Sequence, residues 1–355
     1  MPILKHISDV MNRIRFFKVF TILSIFFLSS SADAQDNGNA FRQEYWGDPD
    51  AYYIDQTGAI LKTVEEGMDA YPPVAGATLE RKLILYHLDA ILHETKHDFT
   101  EPFMQFFKSR ISKVIRNMDN PVQNGMRVYK LYNESFVART KSVTIAFDLV
   151  RRKMDDGNQL FSDEDIKSIV DRCDILFLSH DHDDHVDPVV VDMFLKEGKT
   201  VVATSGILAD KASITHRRAG KITTETLILG NGQSLGITIL PGHQGTDMAN
   251  NIYVVTTPEG FVIAHTGDQS NDKDMEWIVN VNNVIPAPDV LIVNCWTNNM
   301  EELINGFNPK VVTSGHENEL GHSIDHREAF WLTLQKFSTI RKDSIVMGWG
   351  EWFDI

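Results

Sequence analysis

The apolar residues change their period near residue 126. Before it they recur every three or four positions: Leu79, Leu83, Leu88, Ile91 and Leu92 within 78–97, then Phe103, Phe106, Phe107, Ile111, Val114 and Ile115 within 99–118. That spacing gathers them on one side of a helix and predicts two amphipathic helices, each needing a partner surface. Residues 35–77 are mixed, broken by Pro72-Pro73 and Gly76, and predict no element. After 126, short apolar runs alternate with turns and helical stretches: VYKLY, SVTIAFDLV, DILFLS, TVVAT, ITIL, IYVVTT, FVIAHT, DVLIVN and KVVTS, with SIVMGWGEWF as one further strand. The pattern predicts an α/β chain, with a helical extension over 35–125 and a sheet-rich domain over 126–355.

Residues 1–34 depart from both patterns. Arg13, Arg15 and Lys18 precede an apolar run from Val19 to Leu28, and Ala32-Asp33-Ala34 follows. A basic start, a short apolar run and an A-x-A site read as a cleaved export signal, placing the protein in the periplasm or outside the cell. The run is short for a bilayer span, so no stable membrane span is expected after cleavage. Net charge is −15, and the first 34 residues carry four basic and two acidic side chains, which leaves −17 on the rest. Such a surface repels phosphate backbones and argues against a nucleic-acid partner. The two cysteines, Cys173 and Cys295, border or sit within apolar runs and read as small buried hydrophobes.

The candidate chemistry is concentrated in SHDHDDHVDP, residues 179–188, directly after the run DILFLS. His180 and His182 are two apart, so an extended backbone turns both to one side. Asp184 and His185 follow where the chain must turn, with Asp187 as a helix N-cap and Pro188 as the first helical residue. Imidazoles and carboxylates aimed inward from such a loop are good ligands for zinc and similar cations. His243, Asp268 and His316 share one placement: each lies just past the C-terminal end of an apolar run. Strand ends of one layer can converge on one site.

Together these motifs resemble the metallo-β-lactamase superfamily: HxHxDH at 180–185, Gly-His at 243, Thr-Gly-Asp at 266–268 and a strand-end Gly-His at 316, over about two thirds of the chain. The segment HENELGHSIDHREAF is similar to the ascorbate-phosphate lactonase-like and phospholipase D-like branches. The resemblance implies an αββα sandwich with two divalent metal ions at one edge, zinc by default and manganese or iron as alternatives. His180, His182 and His243 would hold one ion, Asp184, His185 and His316 the second, and Asp268 would bridge them. Asp148 matches the family's early strand-end carboxylate that supports the metal loops, although Leu149-Val150 stands where Pro-Gly or Thr-Gly is usual. Asp184 and His322 are the catalytic candidates, His322 as the acid that protonates a leaving group or as a residue that orients substrate. His265 and His326 read as structural.

The expected activity is that of an exported hydrolase whose metal-bridging hydroxide cleaves an ester, lactone or phosphodiester in a small-molecule or lipid substrate. The alternatives are a β-lactamase and a non-catalytic metal-binding protein. Dedicated β-lactamases of the superfamily do not usually keep the bridging aspartate, and degenerate members would be expected to lose ligands. A carboxylate at position 182 and a flavin domain would mark the oxygen-reducing diiron branch; the chain has His182 and no such domain.

Overall fold

The computed structural model describes residues 45–94, 100–153, 157–217 and 220–355, so the signal expected over 1–34 lies outside the described residues. The chain divides into two compact units, 1–52 and 53–355. In the described part of the first, Tyr45 and Tyr52 meet edge to face at 5.4 Å, and the chain enters helix α1 (Pro49–Ala70). The sequence pattern missed α1. Its buried stripe of Thr57, Leu61, Val64 and Met68 is one residue wide per turn, too narrow to stand out. Gly67 lets it lie close to α2 (Leu79–Leu92), because a Cβ there would come within 2.7 Å of the Ile84 side chain.

Helices α2 and α3 (Glu101–Met118) occupy the two predicted stretches. Thr78 caps α2 by accepting from the Arg81 amide. Both helices are tied to the C-terminal strand. The buried Arg81 guanidinium pairs twice with Glu351, through Nη1 at 2.6 Å and through Nη2, while Arg110 Nη2 donates to the Gly350 carbonyl at 3.1 Å. Removing one partner of such a buried pair costs about 3–5 kcal/mol.

From residue 126 the described chain forms two seven-stranded mixed sheets. The first contains β1 (Arg127–Tyr132), β2 (Ser135–Arg139), β3 (Thr144–Phe147), β4 (Ile175–Leu178), β5 (Thr200–Thr204) and β6 (Thr215–Arg217) in that order, with β14 (Glu351–Asp354) outside β1. The second runs β13 (Asp343–Ile345), β12 (Val311–Gly315), β11 (Val290–Asn294), β10 (Val262–His265), β9 (Met248–Thr256), β8 (Ser234–Gln244), β7 (Thr223–Ile228). Strands β3 to β6, and β10 to β13, are parallel. Helices α4 (Asp163–Arg172), α5 (Pro188–Lys196), α6 (Met275–Ile278), α7 (Met300–Phe307) and α8 (Phe330–Phe337) cross between them.

The central parallel strands β3, β4, β10 and β11 are buried on both faces, so their side chains alternate between two cores. Ile145, Phe147, Ile175 and Phe177 meet Ile237, Tyr253, Ile263 and Ile292 between the sheets. Ala146, Leu176 and Leu178 face outward, in the cluster that holds Ile166 and Ile169 of α4 and Val190 of α5; Leu291 and Val293 do the same on the second sheet with Leu303 and Phe307 of α7. The layers are those of the αββα sandwich that the sequence resemblance implies.

The tail SIVMGWGEWF is two strands, not one. Asp343–Ile345 joins the second sheet beside β12, and Glu351–Asp354 joins the first beside β1. Gly350, at φ +69°, lies at the turn between them. Cys173 and Cys295 are both buried and unbridged, and burial pushes the Cys173 thiol up to about 12.

Candidate metal centre

Parallel strands deliver all their C-terminal ends to one edge of a sheet. There β3 leads into Asp148, β4 into Ser179 and His180, β10 into Asp268, β11 ends at Asn294, and β12 leads into His316. After His180 the chain turns tightly: the His182 carbonyl accepts from the amides of His185 at 3.1 Å and Val186 at 2.8 Å. Asp187 then caps α5 through the Val189 amide, 2.9 Å, with Pro188 at the start of the helix. Asp148 and His316 both hold positive φ, +44° and +74°, a conformation that non-glycine residues keep only where surroundings enforce it. Gly267 is required by space: a Cβ would lie 2.4 Å from Asn250 Oδ1 and 2.6 Å from Ser179 Cβ.

The structure brings Asp184, His185 and His316 together as one group of donor atoms within 4.8 Å, and His180, His185 and Asp268 as another. Asp184 Oδ2 is 3.2 Å from both His185 Nε2 and His316 Nε2. Asp268 divides its oxygens between the groups: Oδ1 is 3.4 Å from His185 Nε2 and 3.2 Å from His316 Nε2, and Oδ2 is 3.6 Å from His180 Nε2. His180 Nε2 also meets His182 Nδ1 at 3.1 Å, and His185 Nε2 meets His316 Nε2 at 3.3 Å. Facing ring nitrogens share a hydrogen bond only if one carries a proton between them. With both lone pairs inward, they suit a cation, as do two buried carboxylates aimed at the same place. The donor set therefore fits divalent metal ions.

Charge is concentrated accordingly. Burial alone would lower His185 and His316, yet Asp184, Asp268 and, for His185, Asp148 hold them well above the usual imidazole value. Burial would raise Asp184 and Asp268, but His185 and His316 keep both well below the usual carboxylate range. Burial, with His185 adding to it, pushes His180 down to about 3.

Asp148 does support the loop despite the Leu149-Val150 that follows it. Its Oδ1 accepts from the Ser179 amide at 2.8 Å, and its Oδ2 from Ser179 Oγ at 2.6 Å and His185 Nδ1 at 2.8 Å. The last contact fixes the His185 tautomer and leaves Nε2 facing the cluster. His243 belongs to neither group of close donors and is 39% exposed. Its Nδ1 faces Asp274, 3.1 Å away, which leaves its other nitrogen unengaged.

His322 and His316 line the same cavity of about 560 Å³, with Asp268, Trp296, Ser323 and His326. His322 is half exposed, its Nδ1 3.3 Å from Glu319 Oε2. His326, read from the sequence as structural, is exposed on the cavity wall. His265 is buried as expected, stacked on Phe147 at 4.9 Å with Nε2 3.1 Å from the Glu134 carbonyl.

Two facing sheets with helices packed on their outer sides make an αββα sandwich. Among solved structures, the chain is similar to a metallo hydrolase from the hyperthermophilic archaeon Ignicoccus hospitalis, at 18% identity over 65% of this chain and 99% of that one, TM-score 0.48. It is similar to an isothiocyanate hydrolase from Delia radicum gut bacteria, at 12% identity over 64% and 98%, TM-score 0.48. It is also similar to a diiron β-hydroxylase from Streptomyces venezuelae, at 14% identity over 66% and 54%, TM-score 0.47. No family model and no curated protein matches the chain.

Several site residues escaped the sequence reading. Asn294 Nδ2 donates to Asp268 Oδ1 at 2.6 Å and Gln244 Nε2 to Asp268 Oδ2 at 2.9 Å, so the carboxylate is held from two sides. Glu319 Oε2 lies 3.3 Å from the Nδ1 atoms of both His316 and His322. Asn294 carried a readable signal, since it ends DVLIVN just as the other strand-end residues end their runs. Asp274 ends a short 3-10 turn and Glu319 sits in a loop, neither with such a marker. Helix α2 acts on the site from behind. Asp89 accepts from Asn318 Nδ2 and from the Phe330 and Trp331 amides, each at 2.9 Å, bracing the loop that carries His316 and His322. No described residue of α2 or α3 lines the cavity.

Proposed function

We propose that the chain is a metal-dependent hydrolase that cleaves an ester, lactone or phosphodiester at this strand-end site. The observation that carries the reading is the convergence of Asp184, His185, His316, His180 and Asp268 in two groups of donors that share His185. In this reading Asp184, His185 and His316 hold one divalent cation, His180, His182 and His243 hold a second, and Asp268 lies between them. Zinc is the proposed metal, given imidazoles in the majority. Bound there, the pair would supply Lewis acidity and a water of lowered pKa.

The protein's own residues supply the rest. Asn294 and Gln244 fix the Asp268 carboxylate, and Asp148 fixes His185, so the donors need little reorganisation on binding. Asp184 stands within the buried cluster as an acceptor for a proton from the attacking water. His322 stands on the cavity wall with Nδ1 beside Glu319, so its Nε2 can hand a proton to the departing oxygen. The proposal includes export through the segment 1–34 to the periplasm or exterior.

The test is metal analysis of the purified full chain, followed by a panel of esters, lactones, phosphodiesters and β-lactams with the metal-loaded protein. Close to two divalent ions per chain and turnover of at least one ester, lactone or phosphodiester are expected. A metal-loaded protein inert on all of them would overturn the hydrolase reading. The mass of the mature N-terminus from the producing cell tests export.

A further inference from the structure

Trp296 stands out on the wall of the metal cavity. It is 41% exposed, although it follows Cys295, which is fully buried. Its position is fixed rather than incidental. The Trp296 backbone amide donates to Asn294 Oδ1 at 2.7 Å, and Asn294 Nδ2 holds Asp268 at 2.6 Å, so one side chain ties the Trp296 backbone to the central carboxylate. On either side, Thr297 Oγ1 donates to the Gln269 carbonyl at 3.0 Å and Lys336 Nζ to the Cys295 carbonyl at 2.7 Å. An exposed indole on the cavity wall, carried by a backbone anchored to the reacting centre, is a surface for an apolar or aromatic group.

The polar part of the wall is equally selective. Beyond the metal-facing residues it offers Gln244, Ser270 and Ser323, with His322 and His326, and no lysine or arginine among the described residues. Cations close behind the wall are spoken for: Arg327 Nε donates to the His322 carbonyl at 2.8 Å, Lys336 Nζ to the Cys295 carbonyl at 2.7 Å, and Arg152 lies behind Gly321, where a Cβ would come within 2.5 Å of its guanidinium. That guanidinium is already engaged. It donates to the Leu320 carbonyl at 2.8 Å and lies 3.6 Å from Glu319 and 3.7 Å from Asp183. A distal carboxylate or phosphate would therefore enter an acidic protein, net charge −15, and meet no lysine or arginine on the cavity wall among the described residues.

We infer that the substrate is a carboxylic ester or lactone whose distal part is uncharged and apolar, and that Trp296 is the specificity-determining residue that packs against it. This rests on the hydrolase reading and narrows it. The test uses the metal-loaded full chain and three esters with one leaving group: 4-nitrophenyl acetate, 4-nitrophenyl pentanoate and mono-4-nitrophenyl succinate. The pentanoate and succinate acyl groups are similar in length and differ in terminal charge. The expected result is kcat/KM for the pentanoate at least about tenfold above that for the succinate. Trp296→Ala should lower kcat/KM on the pentanoate about tenfold, mostly through KM, and leave the acetate within about twofold. Trp296→Phe should restore most of the loss.

Preference for the succinate, or an equal loss on acetate and pentanoate in Trp296→Ala, would overturn the inference while leaving a hydrolase. Calorimetry with butyrophenone, a neutral ketone that cannot be hydrolysed, separates the two readings. Binding that Trp296→Ala abolishes, in a protein inert on every ester, would keep the apolar subsite and remove the hydrolase. Absence of binding to the parent protein, with no ester preference, would remove the subsite.

Discussion

His185 and His243 are both imidazoles with a carboxylate behind the ring, Asp148 for one and Asp274 for the other. They differ in everything else. His185 is fully buried and its Nε2 lies within 3.4 Å of Asp184, His316 and Asp268. His243 is 39% exposed, at the end of the long hairpin strand β8, and no other proposed ligand approaches it closely. The first sits between two parallel sheets' ends, fixed by the cores on both sides. The second sits on a ribbon whose far strand, β7, has an alternating half-exposed burial pattern. One half of the centre is thus assembled by packing, and the other is only oriented. In the two-metal reading the difference predicts unequal affinities: the Asp184–His185–His316 half should bind first and release last.

The largest expected effect tests what the halves share. Asp268→Ala removes the carboxylate whose oxygens face both groups. It should remove both metal equivalents, with activity falling about 10³-fold or more and the secondary structure retained. A fully metallated Asp268→Ala protein would sink the bridging role and, with it, the view of two halves joined at one residue. Next comes the direct comparison. His243→Ala should lose the weaker metal equivalent and keep the other, whereas His185→Ala, which removes a ligand of the packed half, should lose the tighter one. Stepwise chelation of the parent protein, followed by metal analysis, should show two phases. Simultaneous loss of both ions would erase the inequality.

His322→Ala sits between these and the smallest effect, because it touches neither half. It should lower kcat about a hundredfold on substrates with poor leaving groups, with the metal content unchanged, and harm 4-nitrophenyl esters far less. Equal loss on both kinds of ester would argue for a positioning role, as the neighbouring Glu319 also allows.

The same contrast explains what could be read from the sequence. The β-strands that carry the packed half are short runs buried on both faces, and such runs stand out in any sequence: DILFLS, FVIAHT, DVLIVN and KVVTS all became strands. Their ends therefore marked His180, Asp268 and His316 without knowledge of the topology. Strands β2, β6 and β7 were not legible. β2 lies inside a run interrupted by Asn133-Glu134, and β6 and β7 are short or half exposed, so neither shows a continuous apolar signature. The C-terminal run was legible as extended chain but not as two strands, because Gly350 turns it from one sheet to the other within a few residues. The carboxylates behind the imidazoles divide in the same way. Asp148 follows directly on a strand and was read; Asp274, at the end of a short 3-10 turn, and Glu319, in a loop, follow no apolar run and are brought to their histidines by tertiary structure.

The smallest expected effect probes those carboxylates. Asp274→Asn keeps the volume and an oxygen acceptor for His243 Nδ1–H but removes the charge that makes the imidazole a stronger donor. An asparagine oxygen turned to Gln269 Nε2, which donates to Asp274 Oδ2 at 3.0 Å, also keeps its place beside His243 Nδ1 and gives up the longer contact from Trp277 Nε1, 3.4 Å from Oδ1. Loss of a hydrogen-bond partner behind a metal-binding histidine typically costs 10–100-fold in affinity, and the conservative amide belongs at the low end, about tenfold. That loss should fall on one equivalent only. In a competition titration with a metal indicator, the weaker site of Asp274→Asn should shift and the stronger should not. Asp148→Asn should do the reverse, shifting the stronger site, because it faces His185. If both variants weakened the same equivalent, the two halves would not be separable, and the contrast between packed and oriented ligands would fail.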